Sequence, residues 1–163
     1  HFQAGSKGLM PIEIEYGVWP STIVRHSGSC KAGTMDDYLR KCFFIRGKDM
    51  SLICEWFYKL LHLLQKMFPG YDEPMINVLA MWEDGEWVVF VFPRKIHRPW
   101  QYFAQGEEQI LLSPASVDLG GALIIPREQD FEKITQSLIQ DIFNQVTIDN
   151  ADFKRLTEQF AGG

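Results

Sequence analysis

The chain is poor in cysteine, has no excess of positive charge and contains no long apolar run. Its three cysteines (Cys30, Cys42, Cys54) are an odd number, and none stands in a C-x-x-C spacing. That pattern argues against a disulfide framework or a zinc knuckle, and points to reduced thiols in a cytoplasmic protein. Sixteen Lys and Arg stand against 21 Asp and Glu, a formal charge of −5. Broad electrostatic binding to nucleic acid or anionic lipid is therefore not expected, and any polyanion site must be local. No stretch reaches transmembrane length and none has the pattern of a signal peptide. Internal repeats, low-complexity tracts and long linkers are also missing, so the 163 residues fit one domain, residues 1–163. The first residue is His1 rather than Met, and it enters a patterned segment at once. The expectation is a piece of a longer polypeptide.

Hydrophobic residues make up 46% and aromatic residues 13% of the chain, enough to drive folding. Residues 75–98, MINVLAMWEDGEWVVFVFPRKIHR, organise the rest. Asp84-Gly85 between apolar runs signals a hairpin, because both central residues of a type I′ turn need positive φ. Trp82 and Trp87 flank the turn and are placed to pair across the ladder. The second strand is apolar on both faces and so belongs inside the sheet. Pro93 ends it, and Arg94, Lys95, His97 and Arg98 follow. This cluster reads either as a phosphate clamp on a rigid support or as a solvated basic loop.

The other elements follow from period and punctuation. Residues 10–19 alternate Ile12, Ile14 and Tyr16 with Glu13 and Glu15, predicting a half-exposed strand. A short strand is expected over 22–26, a loop over 27–34 and a strand over 42–46. Asp49 or Ser51 caps a helix whose apolar residues run from Leu52 to Phe68 at helical spacing, until Pro69-Gly70 stops it. Residues 99–105 read as an aromatic loop and 109–113 as a short strand. Residues 113–121 read as a small-residue loop and 122–125 as a strand. Pro126 then opens a second helix, with Phe131, Ile134, Leu138 and Ile142 inward, and 151–160 form a shorter terminal helix. Hairpins outnumber βαβ units. The fold class expected is α+β, a mainly antiparallel sheet with two longer helices and a short terminal one.

His1-Phe2-Gln3 matches the latter part of an H-x-H-x-Q motif. With NVLAMWEDGEWVVFVFPRKIHRP, ILLSPASVDLGGALIIPREQDF and the AGSKG segment ahead of Pro11-Ile12-Glu13, it resembles the histidine-triad superfamily over most of the chain. The closer likeness is to the branch of galactose-1-phosphate uridylyltransferase and the diadenosine tetraphosphate phosphorylases (ATP adenylyltransferases). The resemblance implies a histidine-triad-like fold and the carboxy-terminal part of a longer transferase-like protein. It implies a nucleotidyltransferase or nucleotide phosphorylase acting on a nucleotide, with phosphate or a sugar phosphate as acceptor. His1 would be the nucleophile and Gln3 a donor to a phosphate oxygen. The first histidine of the motif is not in this sequence, so the isolated chain is expected to be inactive.

The residue types suit that chemistry. A neutral imidazole attacks phosphorus near pH 7 without a metal-activated water. Gln3 shares a strand face with His1 by alternation. Developing charge is met by Arg94, Lys95, His97 and Arg98, then Lys7. Asn77 falls where the phosphorylases carry an asparagine strand. Ser113, Ser116 and Asp118 either line a site or simply make a turn, and Trp100 and Tyr102 either stack on a base or anchor the loop. No metal ligand set emerges, and magnesium would arrive only with the nucleotide. The competing reading is a nucleotide- or sugar-phosphate-binding module without catalysis, or a structural half that associates with itself or a partner through an uncovered sheet edge.

Overall fold

The hairpin at Asp84-Gly85 forms, and the sheet grows around it. The computed structural model describes residues 3–70 and 72–162; His1 lies outside the described residues, and with it the proposed nucleophile. In chain order, α1 (Ile12–Val18) precedes β1 (Ser21–Ser27), β2 (Cys30–Met35) and β3 (Phe43–Gly47). The long α2 (Met50–Met67) then leads to β4 (Ile76–Glu83) and β5 (Glu86–Pro93). The rest is helical or irregular: α3 (Trp100–Phe103), α4 (Ser116–Leu119), α5 (Glu128–Lys133), α6 (Gln136–Val146) and α7 (Asn150–Ala161). The strands form one five-stranded sheet in the order β1-β2-β3-β5-β4, with every neighbouring pair antiparallel. The fold class is α+β.

Asp84 and Gly85 take φ of 52° and 79°, the left-handed pair that the turn requires. Trp82 and Trp87 stand opposite each other with ring centroids 5.2 Å apart. β5 lies between β3 and β4 and is covered on both faces, which explains its unbroken apolar run. On one face Val91, Phe43, Ile45 and Ala32 meet Ile53, Trp56, Leu60 and Leu64 of α2 and Leu156 and Phe160 of α7. On the other, Val88, Phe90, Phe92 and Phe44 meet Ile12, Leu119, Phe143 and Val146. Asp49 is the cap of α2, accepting from the Ser51 and Leu52 amides at 2.9 and 3.2 Å.

Several local expectations are corrected. Residues 10–19 form α1, not a strand. Ile12 and Tyr16, four apart, both turn to the core, whereas Ile14 between them is 71% exposed. Pro11 opens the helix, and the Glu13 carboxylate accepts from the Met10 amide at 3.1 Å. Residues 30–35 are a strand, not loop. Here small side chains are demanded by packing, since a Cβ on Gly33 would lie 2.8 Å from the Phe44 ring. Residues 109–113 and 122–125 join no ladder. Ile110 and Leu112 do point inward, onto Ile142, but the Leu111 amide donates to the Asp130 carboxylate at 2.9 Å instead of to a neighbouring strand. The helix after Pro126 breaks at Thr135, whose hydroxyl caps α6 by accepting from the Leu138 amide. Phe131 is left 70% exposed rather than facing inward. The aromatic loop at 99–105 also contains one helical turn, α3.

Candidate functional site

The end of β5 delivers the basic cluster, but its members diverge. Arg94 is buried, and four neutral acceptors take its terminal nitrogens. One nitrogen donates to Asn77 Oδ1 at 2.7 Å and to the Pro114 carbonyl at 2.6 Å. The other donates to the carbonyls of Ile96 and His97 at 3.1 and 2.7 Å. Its Nε is buried without a partner. Burial lowers the Arg94 pKa, and the charge of Asp118 pulls it back up. The guanidinium therefore ties its own segment to β4 and to the 113–118 loop, and offers no free fork to a phosphate.

Asn77, Ser116 and Asp118 extend this knot. Asn77 Nδ2 donates to Ser116 Oγ at 3.2 Å. Asp118, also buried, accepts from the amides of Ala115 and Ile124 at 2.8 and 2.9 Å. One carboxylate thus closes both ends of the small-residue loop around α4, with its charge set against Arg94.

The exposed groups sit on this frame. Arg98 lies 4.3 Å above the Tyr102 ring, and its Nε is 3.4 Å from Ser113 Oγ. His97 and Trp100 are exposed, and Tyr102 is half-buried beneath the guanidinium. Lys95 leaves the strand on a half-buried path, its amide donating to the Val146 carbonyl at 3.0 Å. Asn77, Arg94, Arg98, Ser113, Ser116 and Asp118 are thus brought together.

Lys7 is not in this group. It pairs with Glu83 at 2.8 Å, beside the hairpin turn. The hydrogen bond to Glu83 raises its pKa. β4 separates that end from Asn77, a span of roughly 20 Å at about 3.3 Å per residue. Near Lys7, Arg46 Nε meets Glu86 at 2.5 Å. Gln3 is exposed. Lys41 was missed by the sequence reading. It stands just before β3 and close enough to Lys95 for the two charges to repel. The antiparallel pairing of Phe43 with Val91 puts both lysines at the same end of the sheet, a relation legible only once that register is known.

Among the described residues, no group of three or more His, Cys, Asp or Glu side chains could hold a metal. No helix among them is long and apolar enough to cross a membrane.

A five-stranded antiparallel sheet packed by helices on both faces thus carries a rigid polar knot at the end of its inner hairpin. The family model described as GDPGP1-like, C-terminal domain matches residues 18–162, and the chain belongs to that family. The family is related to nucleotide and sugar phosphorylases and places the chain broadly among histidine-triad-like proteins. The match begins at the end of α1, so Gln3 and Lys7 lie outside it. No curated protein and no solved structure matches the chain.

Proposed function

We propose that the chain is the carboxy-terminal domain of a nucleotide-sugar phosphorylase or nucleotidyltransferase that works through a covalent histidine intermediate. Membership of the GDPGP1-like family over residues 18–162 is the observation that carries this reading. Kinship with GDP-glucose phosphorylases favours a GDP-hexose as substrate, and the resemblance of the sequence motifs to the uridylyltransferase and tetraphosphate phosphorylase branch suggests the two-step logic. In the first step, a His1 ring nitrogen attacks the α-phosphorus. The nitrogen–phosphorus bond forms, the bond to the bridging oxygen breaks, and hexose 1-phosphate leaves with the electron pair. In the second step, an oxygen of inorganic phosphate attacks the same phosphorus. Imidazole is released, and the nucleoside diphosphate departs.

Gln3 would hold a non-bridging oxygen, while Lys95, His97 and Arg98 would offset the charge that builds there; Lys7, tied to Glu83 at the far end of β4, would take no part. The Arg94–Asn77–Ser116–Asp118 knot would act as the support of that surface. Magnesium would enter only with the nucleotide phosphates.

The test is intact-mass spectrometry of the full-length protein carrying this domain, mixed with GDP-hexose in the absence of phosphate. A nucleotidyl adduct on His1 is expected, dischargeable by phosphate and abolished in His1→Ala with the fold unchanged. Normal turnover by His1→Ala refutes the covalent role.

A second reading is a nucleotide- or sugar-phosphate-binding module without catalysis. Arg94, with its terminal donors spent on neutral protein acceptors, would be a support and not a ligand in either reading. Under the second reading ligand binding survives His1→Ala and no adduct forms.

A further inference from the structure

A cavity of about 430 Å³ opens between the segment joining β2 to β3 and the junction of α6 with α7. Its polar walls are Asp37, Lys41, Asn144, Asn150 and Lys154, and Phe153 supplies an apolar side. None of Asp37, Lys41, Asn144 or Asn150 makes a side-chain hydrogen bond or ion pair within the described chain, whereas the polar groups of the Arg94 knot are nearly all engaged. Lys154 has only a 4.0 Å approach to Glu158, between two exposed side chains. Uncommitted donors of this kind, gathered in a concavity, are what a small polar ligand requires.

The charge pattern narrows the ligand. Lys41 is half-buried, and burial lowers its pKa; the nearby charge of Lys95 lowers it further, and Asp149 opposes both. Lys41 and Lys154 are the two cations on the cavity wall, and an anion between them would offset the charge held there. The amides of Asn144 and Asn150 both donate and accept, and the Asp37 carboxylate accepts only, which suits neutral hydroxyls rather than a second anion. Phe153 offers a surface for the C–H face of a sugar ring.

We propose that this cavity binds a phosphate ester bearing vicinal hydroxyls, with Lys41 and Lys154 on the phosphate and Asp37, Asn144 and Asn150 on the hydroxyls. A hexose phosphate and a nucleoside monophosphate share this chemistry. The cavity lies at the same end of the sheet as Lys95, and its described lining includes no member of the Arg94 knot. Its occupancy can be read without turnover, so its failure is distinct from failure of the transferase reading.

The test is isothermal titration of the 163-residue chain with glucose 1-phosphate, GMP, inorganic phosphate and free glucose. One of the two esters is expected to bind at least about tenfold more tightly than phosphate or glucose, and the tighter ester identifies the source. Lys41→Gln should weaken that ester about tenfold or more. Lys154→Gln, on an exposed side chain that leaves the core untouched, should weaken it severalfold, and Lys66→Gln on the outer face of α2 should leave it unchanged. Undiminished affinity in Lys154→Gln, or binding of inorganic phosphate as tight as that of both esters, overturns the assignment.

Discussion

Arg94 shows how one side chain changes meaning between sequence and structure. From its position after Pro93 it reads as a phosphate ligand, because an arginine at a strand end beside other cations has the right reach and charge. Burial reverses the argument. A guanidinium taken from water must spend its donors on the protein, and this one spends them on Asn77, Pro114, Ile96 and His97. Arg94→Met should therefore cost about 3 kcal/mol in stability, since the four acceptors lose charged donors and the buried carbonyls are left unpaired. Urea unfolding measures this directly. A change within about 0.5 kcal/mol would show that water replaces the guanidinium at no cost, and that Arg94 is free for ligand. Nothing in the local sequence separates these cases. The deciding partners, Asn77 and Pro114, are brought to Arg94 by the hairpin and by a loop twenty residues downstream.

Elements were legible where period and punctuation agreed. The β4–β5 hairpin combines a turn dipeptide, facing tryptophans and a doubly covered strand. α2 combines a cap, a stripe and a Pro-Gly stop. Both are present as read. α1 was misread because Ile12, Ile14 and Tyr16 satisfy period two, although only Ile12 and Tyr16 face the core. β2 was missed because its small residues answer to contacts with β1 and β3, which no local pattern records. The segment at 109–113 has strand alternation without a strand, and Asp130 is the reason. Its buried carboxylate accepts from the Leu111 amide and holds Arg127 through two 2.8 Å contacts, so α5 takes the place of a ladder partner. The hydrogen bond from Arg127 holds the Asp130 pKa below its ordinary value. A depressed carboxylate contributes its full stabilisation above the unfolded-state pKa of about 3.9 and loses it as pH falls through the lower folded value. Asp130→Asn should thus lose about 2 kcal/mol at pH 7. The gap between variant and wild type should stay level down to about pH 4 and narrow below it. A gap that is constant down to pH 2 in thermal unfolding would remove the ion pair from the account.

At the scale of the whole molecule, the question is where the folding unit starts. The family match begins at residue 18, but packing begins earlier. Ile12 is 1% exposed, and its amide donates to the Gly120 carbonyl at 3.0 Å, which joins α1 to the loop that carries Asp118. Tyr16 stands edge-on to Phe44 and Phe90, with centroids 5.1 and 5.3 Å away. Glu15 closes a network with Arg40 and Tyr38, so removing it would strand a mostly buried arginine. Leu9, by contrast, is 66% exposed and contributes little. Burial of Ile12 and Tyr16 alone is worth roughly 3–5 kcal/mol, a large share of the 5–15 kcal/mol that holds a typical domain together. A chain beginning at Leu9 is therefore expected to melt within a few degrees of the 163-residue chain. One beginning at Trp19 should melt more than about 10 °C lower and bind a hydrophobic dye through the uncovered Phe44 and Phe90 face. Equal melting temperatures for the two would mean that the sheet closes its own face without α1. The unit would then coincide with the matched family segment, and α1 would lie outside it.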